Sequence, residues 1–114
     1  MADVLKEGYM KKEGAGVSFG WKKRLFVLTK RHIAYYDKAD EKGRVELVDI
    51  LEMAPSNKKK HCMKITTQAR VWEFQATSDE DRDDWITALA KAAEAACRET
   101  FAVAEAAVRP HPWS

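Results

Sequence analysis

The apolar residues change their period once along this chain, near residue 77, and that single change limits the fold more than any motif does. Before it, short β-rich runs alternate with turn residues at intervals of roughly 8–12 residues, the spacing of an all-β barrel or sandwich. The runs are Gly8–Lys12, Trp21–Leu28, Ile33–Tyr36, Val45–Val48, a short one near Leu51–Met53 that ends at Pro55, His61–Thr66 and Val71–Ala76. Gly14, Gly16 and Gly20 mark a loop, Asp40–Gly43 a polar turn, and Thr67–Arg70 a hairpin turn. After the change, Trp85, Leu89, Ala92 and Ala96 recur at helical spacing. Ser78 and Asp81 form a capping pair, with Thr77 and Glu80 as the alternative, and Asp79–Asp84 supplies the acidic first turn that a helix dipole favours. Nothing breaks this helix before Pro110, so it extends over up to about thirty residues.

At 114 residues, 46% apolar and 33% charged, the chain has the size and composition of one folded domain. It has no stretch of the ~18 uncharged apolar residues that a spanning helix needs. Residues 1–7 lack the apolar core of a signal peptide. Cys62 and Cys97 are too few for a disulfide scaffold, and a reduced cytoplasmic compartment is expected. Both are expected to be buried thiols.

Catalytic and metal chemistry find little support. There is no nucleophile elbow, no glycine loop leading into a helix, and no cysteine–histidine cluster. His32, His61 and His111 are scattered and are expected at the surface. No cofactor, no metal and no enzymatic activity is expected.

Charge is more informative. The net charge is only +2, but residues 1–64 carry a balance of +6 and residues 65–114 one of −4. A basic face of this kind meets something anionic, and nucleic acid and a membrane surface are the two candidates. Strand parity then locates the charge. Lys22, Arg24, Phe26 and Leu28 share one face of their strand, as Met10 and Lys12 do on the preceding one. Phe26, Leu28 and Met10 are core residues, so Lys12, Lys22 and Arg24 converge at the mouth of whatever the sheet encloses. Three converging cations repel one another, and a polyphosphate would supply the missing counter-charge. The alternative is that they reach solvent or pair with acids such as Glu13. Because the charges meet at a hairpin mouth and line no groove, nucleic acid is not expected as the partner.

In its order of motifs the chain resembles a pleckstrin-homology domain. The resemblance runs from about Lys6 to Ala96. It rests on Glu7-Gly8-Tyr9-Met10-Lys11-Lys12, on Trp21-Lys22-Lys23-Arg24-Leu25-Phe26-Val27-Leu28, on Tyr35-Tyr36, and on Phe74–Trp85 with its helix tryptophan. It implies a mainly β fold: a seven-stranded, bent antiparallel barrel or orthogonal sandwich capped by one long C-terminal helix. Residues 1–97 would form the domain, with the helix from about 78, and residues 98–114 a helical extension and frayed tail. The methionine at the domain edge leaves a stand-alone protein or an excised fragment open.

The resemblance also implies a phosphoinositide site. Lys12 and Arg24 would clamp a 3-phosphate, Lys22 would add contacts, and Tyr35 would donate to a 4-phosphate. Lys42 and Arg44 would reach the far side of the ring. The 3,4,5-trisphosphate or 3,4-bisphosphate is expected ahead of the 4,5-bisphosphate. Around the headgroup, Val17 and Phe19 are expected to enter the lipid interface, with Lys11, Lys23, Lys58, Lys59 and Lys60 adding non-specific attraction. Trp85 and Leu89 are expected to plug the opposite end. The expected function is thus a non-enzymatic module recruited from the cytoplasm to plasma or endosomal membranes. The alternative is a protein-interaction adaptor on the same fold with weak or no lipid binding. A stripe of Cys97, Phe101, Ala104 and Val108, continuing Ile86, Ala90 and Ala93, would serve the helix extension for packing, for a protein partner or for self-association.

Overall fold

A computed structural model describes residues 3–13 and 20–108, the side chains of 100–108 excepted. It contains seven strands and one helix: β1 (Val4–Glu13), β2 (Trp21–Thr29), β3 (His32–Asp37), β4 (Asp40–Glu46), β5 (Ile50–Ser56), β6 (Cys62–Thr67), β7 (Val71–Gln75) and α1 (Asp79–Val108). A 3₁₀ turn, Leu47–Asp49, joins β4 to β5. The strands form one sheet in the order β4-β3-β2-β1-β7-β6-β5, and every pairing is antiparallel. The fold is the expected mainly β one with its helix at the C-terminal end.

β1 is the hinge of the architecture. It pairs along its whole length with β2, and at Lys11 and Lys12 it also pairs with Gln75 and Phe74 of β7. The end of β1 that carries Lys12 therefore belongs to both halves of the sheet. Alternation along the strands sends Met10, Phe26, Leu28, Ile33, Val45, Met63, Ile65 and Phe74 into one core. The Phe26 and Phe74 rings meet edge to face at 4.7 Å, joining the two halves.

Two connections differ from the sequence reading. Asp40–Gly43 is not a turn but the start of β4, and the turn is Lys38-Ala39, with Lys38 at φ 58°. A two-residue hairpin needs positive φ, and here a lysine adopts it in place of the expected glycine. Pro55 lies inside β5 instead of ending it. β5 pairs only with β6, and an edge strand tolerates a residue without an N–H.

The helix begins where the capping pair places it. Ser78 Oγ accepts the Asp81 N–H at 3.0 Å, and the Asp81 carboxylate accepts from both the backbone N–H and the hydroxyl of Thr77. Asp79 adds a 2.8 Å bond to the imidazole of His61, tying the β5–β6 loop to the first helical turn. Trp85, Leu89, Ala92 and Ala96 form the buried stripe, as their spacing predicts. Trp85 is fully buried against Phe26, beside Gly8 and under the Lys6 ammonium at 4.9 Å. Lys12 stands at the other end of the same strand.

Cys62 is buried, but Cys97 is exposed, contrary to expectation. Residue 97 is rotated by one position from the Ala92–Ala96 stripe and so leaves the core face. Ala90 is exposed too. The side chains of Phe101, Ala104 and Val108, and the tail 109–114, lie outside the described residues. No helix among the described residues is long and apolar enough to cross a membrane.

Candidate functional site

The β1–β2 hairpin sets the site. Its register places Lys12 opposite Lys22 and Met10 opposite Arg24. Met10 is buried and faces the core, so Lys12 and Arg24 share the inner face near the hairpin's loop end. Lys12 is half-buried. Its ammonium lies 5.1 Å from the Tyr35 ring centroid and 5.6 Å from that of Trp72, and donates to the Glu13 carbonyl at 3.1 Å. Burial first, then the fields of Arg70 and Arg24, hold its pKa below the ordinary lysine value. Arg24 donates to the Lys23 carbonyl at 3.0 Å, and its remaining N–H groups point to no carboxylate among the described residues.

Tyr35 is 7% exposed and forms the floor of the mouth. Its ring fits only because residue 43, directly across on β4, is glycine: a Cβ there would come within 2.6 Å of Tyr35 Cζ. Burial raises the Tyr35 pKa, against the opposing fields of Arg70 and Arg24. The Tyr35 and Trp72 rings meet edge to face at 6.0 Å, so the two aromatic groups that flank Lys12 also brace each other.

Two members of this group escaped the sequence reading. Trp72 shares parity with the core residue Phe74 along β7, and Arg70, one residue before that strand, continues the same parity, the signal that picked out Arg24 through Phe26. Arg70 belongs to the turn, where strand parity assigns no face: its carbonyl accepts from Thr67 N–H and Oγ1–H, and its N–H donates to Thr67 Oγ1. The Arg70 guanidinium nevertheless lies 3.9 Å from the Trp72 centroid.

The structure does not bring Arg44 to this group. Arg44 pairs with Ala34 on the outer face of the β3–β4 hairpin, where Glu41 takes its Nε at 3.0 Å and its Nη2 at 2.8 Å. His32 Nδ1 and Glu46 flank the same guanidinium. Lys42 sits at the irregularity in the β3–β4 register and is exposed.

The expected membrane-facing lysines separate in the same way. Lys11 and Lys23 are exposed and directly opposite each other on the outer face, Lys23 resting 4.8 Å from the Tyr9 ring. Lys60 is exposed. Lys59 lies 5.1 Å from the Trp21 ring. Lys58 is not an uncommitted cation: Glu13 holds it at 2.6 Å and raises its pKa. The pair joins the β5–β6 loop to the loop end of the first hairpin. Val17 and Phe19 lie outside the described residues. Among the described residues no group of three metal-ligating side chains occurs.

A seven-stranded antiparallel sheet followed by a C-terminal helix, with Lys12 and Arg24 on its inner face, defines the class of fold. The family model "PH domain" matches residues 4–94, and the chain belongs to that family. It is 33% identical over 95 residues to the zebrafish (Danio rerio) protein "Differentially expressed in FDCP 6 homolog", covering 78% of this chain and 15% of that one. It is 34% identical over 98 residues to human (Homo sapiens) "Src kinase-associated phosphoprotein 1", covering 74% of this chain and 27% of that one. The chain thus spans only a minor part of the curated relatives it matches. Among solved structures it is similar to a pleckstrin homology domain in solution, at 31% identity and TM-score 0.71, covering 86% of this chain and 90% of that one. It is also similar to the C-terminal PH domain of pleckstrin in complex with D-myo-Ins(1,2,3,5,6)P5, at 25% identity and TM-score 0.72, covering 82% and 98%.

Proposed function

We propose that this domain binds phosphorylated inositol headgroups at an anionic membrane surface, without catalysing a reaction, and that it prefers headgroups carrying a 3-phosphate. The observation that carries this reading is the convergence of Lys12 and Arg24 on the inner face at the loop end of the first hairpin, where burial first, and then the fields of Arg70 and Arg24, lower the Lys12 pKa. Among the described residues no acidic side chain forms a salt bridge with either, and the field of the Glu13 carboxylate offsets the repulsion at Lys12 only in part. An anion with several charges relieves that repulsion, and each charge-assisted bond is worth ~1.5–3 kcal/mol. Lys12 and Arg24 would hold the 3-phosphate, with Lys22 opposite Lys12 and Lys42 across the mouth. Tyr35 supplies the floor and the hydroxyl nearest a 4-phosphate. The inositol pentakisphosphate bound by the pleckstrin domain supports the ligand class. The exposed lysines Lys11, Lys23, Lys59 and Lys60 would add attraction to an anionic leaflet, and Val17 and Phe19 a shallow insertion. Peripheral recruitment from the cytoplasm to such membranes is the cellular role that follows.

A second reading, a protein-interaction module, is favoured by a groove of about 540 Å³ between α1 and the start of β1. Ala88, Ala92, Ala95 and Ala96 form one wall, and half-exposed Leu5 the other. Vesicle co-sedimentation at physiological salt, with each phosphoinositide in turn, tests the first reading. Retention on 3-phosphorylated lipids, lost in Arg24→Ala, is the expected result. Uniform binding to any anionic vesicle, or none, refutes it.

A further inference from the structure

We infer that the groove between α1 and the start of β1 is filled by α1 of a second copy of this chain, the two helices packing antiparallel about a two-fold axis at Ala95. This assigns an occupant to the groove of the second reading above, on which it rests, and is independent of the headgroup reading.

The groove encloses about 540 Å³, with Ala88, Lys91, Ala92, Ala95 and Glu99 on the helix side and Leu5 on the sheet side. Leu5 is 48% exposed and Val4 beside it 53%, so this end of β1 presents apolar surface. The alanines of the helix wall let a second backbone come close, toward the short end of the about 8–10 Å at which helices pack. Ala88, Ala95 and Ala102 recur every seven residues. That interval keeps one face of a helix turned to a partner helix. Ala96 is buried, whereas Cys97, Arg98 and Glu99 are exposed, yet α1 runs on to Val108. The helix thus continues for about 18 Å beyond the last side chain it is seen to bury. An antiparallel copy centred on Ala95 lays its residues 91–102 along residues 88–99 of the first, which is the length of the groove.

The charges in the groove select both the second copy and the antiparallel sense. Lys91 and Glu99 stand at equal distances in sequence on either side of Ala95. Among the described residues neither side chain has an ion pair or a hydrogen bond. Their charged neighbours are engaged: Arg98 by Glu94 at 2.6 Å, and Lys30 by Asp3 at 3.6 Å. A two-fold axis at Ala95 brings Lys91 of each copy opposite Glu99 of the other, so one interface forms the same ion pair twice. A parallel pair in register would instead set lysine against lysine and glutamate against glutamate.

The test is sedimentation velocity on the whole chain, from micromolar to millimolar concentration, at low salt because exposed ion pairs are screened. Circular dichroism is the fold control. Wild type is expected to pass from monomer to dimer across the series. Lys91→Glu and Glu99→Lys each turn two attractions into two repulsions, and each is expected to weaken the dimer about tenfold. An equimolar mixture of the two variants is expected to regain wild-type association, since each chain then carries the charge the other needs. Misfolded chains would not be rescued by mixing. A wild type that stays monomeric overturns the inference and leaves the groove to a different protein. Variants that associate as tightly as wild type, or a mixture no tighter than either variant alone, overturn the two-fold pairing at Ala95. Headgroup titration of the same variants reads separately, because Leu5 and Lys12 stand toward opposite ends of β1.

Discussion

At the scale of single residues, the mouth is built by parity and by one missing side chain. The two-residue alternation of β2 places Arg24 on the side of Phe26, and Lys12 follows from Met10 in the same way. Those positions were legible in the sequence because the core residues beside them are unambiguous. Arg70 was not, although Phe74 gives the same parity signal, since a residue at the end of a turn has no assigned face until the strand beyond it is known. Nor was Arg44: its bidentate bond to Glu41 depends on β4 beginning at Asp40, inside what reads as a polar turn. Lys12 yields a pH test. Its depressed pKa means that, between that value and the ordinary lysine value, the unfolded chain binds more protons than the folded one. Domain stability therefore rises with pH across that window. Headgroup affinity moves the other way, because the anion needs the charged form. Titrations from neutral to alkaline pH are expected to show affinity falling before ordinary lysines lose their charge, and Lys12→Arg is expected to abolish that early fall. A flat wild-type profile across the window contradicts the assignment.

At the scale of elements, the first hairpin and the helix do separate jobs at opposite ends of β1. Trp85 fills the end remote from Lys12, fully buried against Phe26. Emptying a large aromatic site costs ~3–5 kcal/mol, out of the ~5–15 kcal/mol that holds a domain together. Trp85→Ala is expected to lower the urea midpoint by a matching amount, and a loss under about 1 kcal/mol would contradict its role as the plug. The helix start and its buried stripe were legible because capping and a 3.6-residue period are local. The engagement of Lys58 by Glu13 was not, because it joins residues 45 apart in sequence. That pair makes its own prediction. Glu13→Gln removes the partner and frees one cation at the loop end of the hairpin. Its binding to vesicles of anionic lipid without phosphoinositide is expected to strengthen by about 1 kcal/mol, roughly fivefold at low salt. Unchanged partitioning would place Lys58 away from the membrane-facing side.

At the scale of the molecule, the uneven charge along the sequence becomes one cationic mouth and a helix whose first turn is acidic. Chain order made this half legible: the basic runs fall on the first hairpin and its neighbours, and the acids on α1. Folding adds what one dimension hides, that Arg70 from the acidic half joins the basic mouth. Since the helix lies away from that mouth, removing residues 99–114 leaves Trp85, Leu89, Ala92 and Ala96 in place. The shortened chain is expected to stay folded by circular dichroism and to keep its headgroup affinity within about twofold, or ~0.4 kcal/mol. Loss of binding in a folded truncation would place the ligand near the helix. The central claim, that Lys12 and Arg24 read a 3-phosphate, is tested most directly by calorimetric titration of wild type and Arg24→Ala with inositol 1,3,4,5-tetrakisphosphate and inositol 1,4,5-trisphosphate. The expected result is at least tenfold tighter binding of the tetrakisphosphate by wild type, about 1.4 kcal/mol, with that advantage gone in Arg24→Ala. Equal wild-type affinity for the two ligands, or an Arg24→Ala domain that still prefers the tetrakisphosphate, would contradict it.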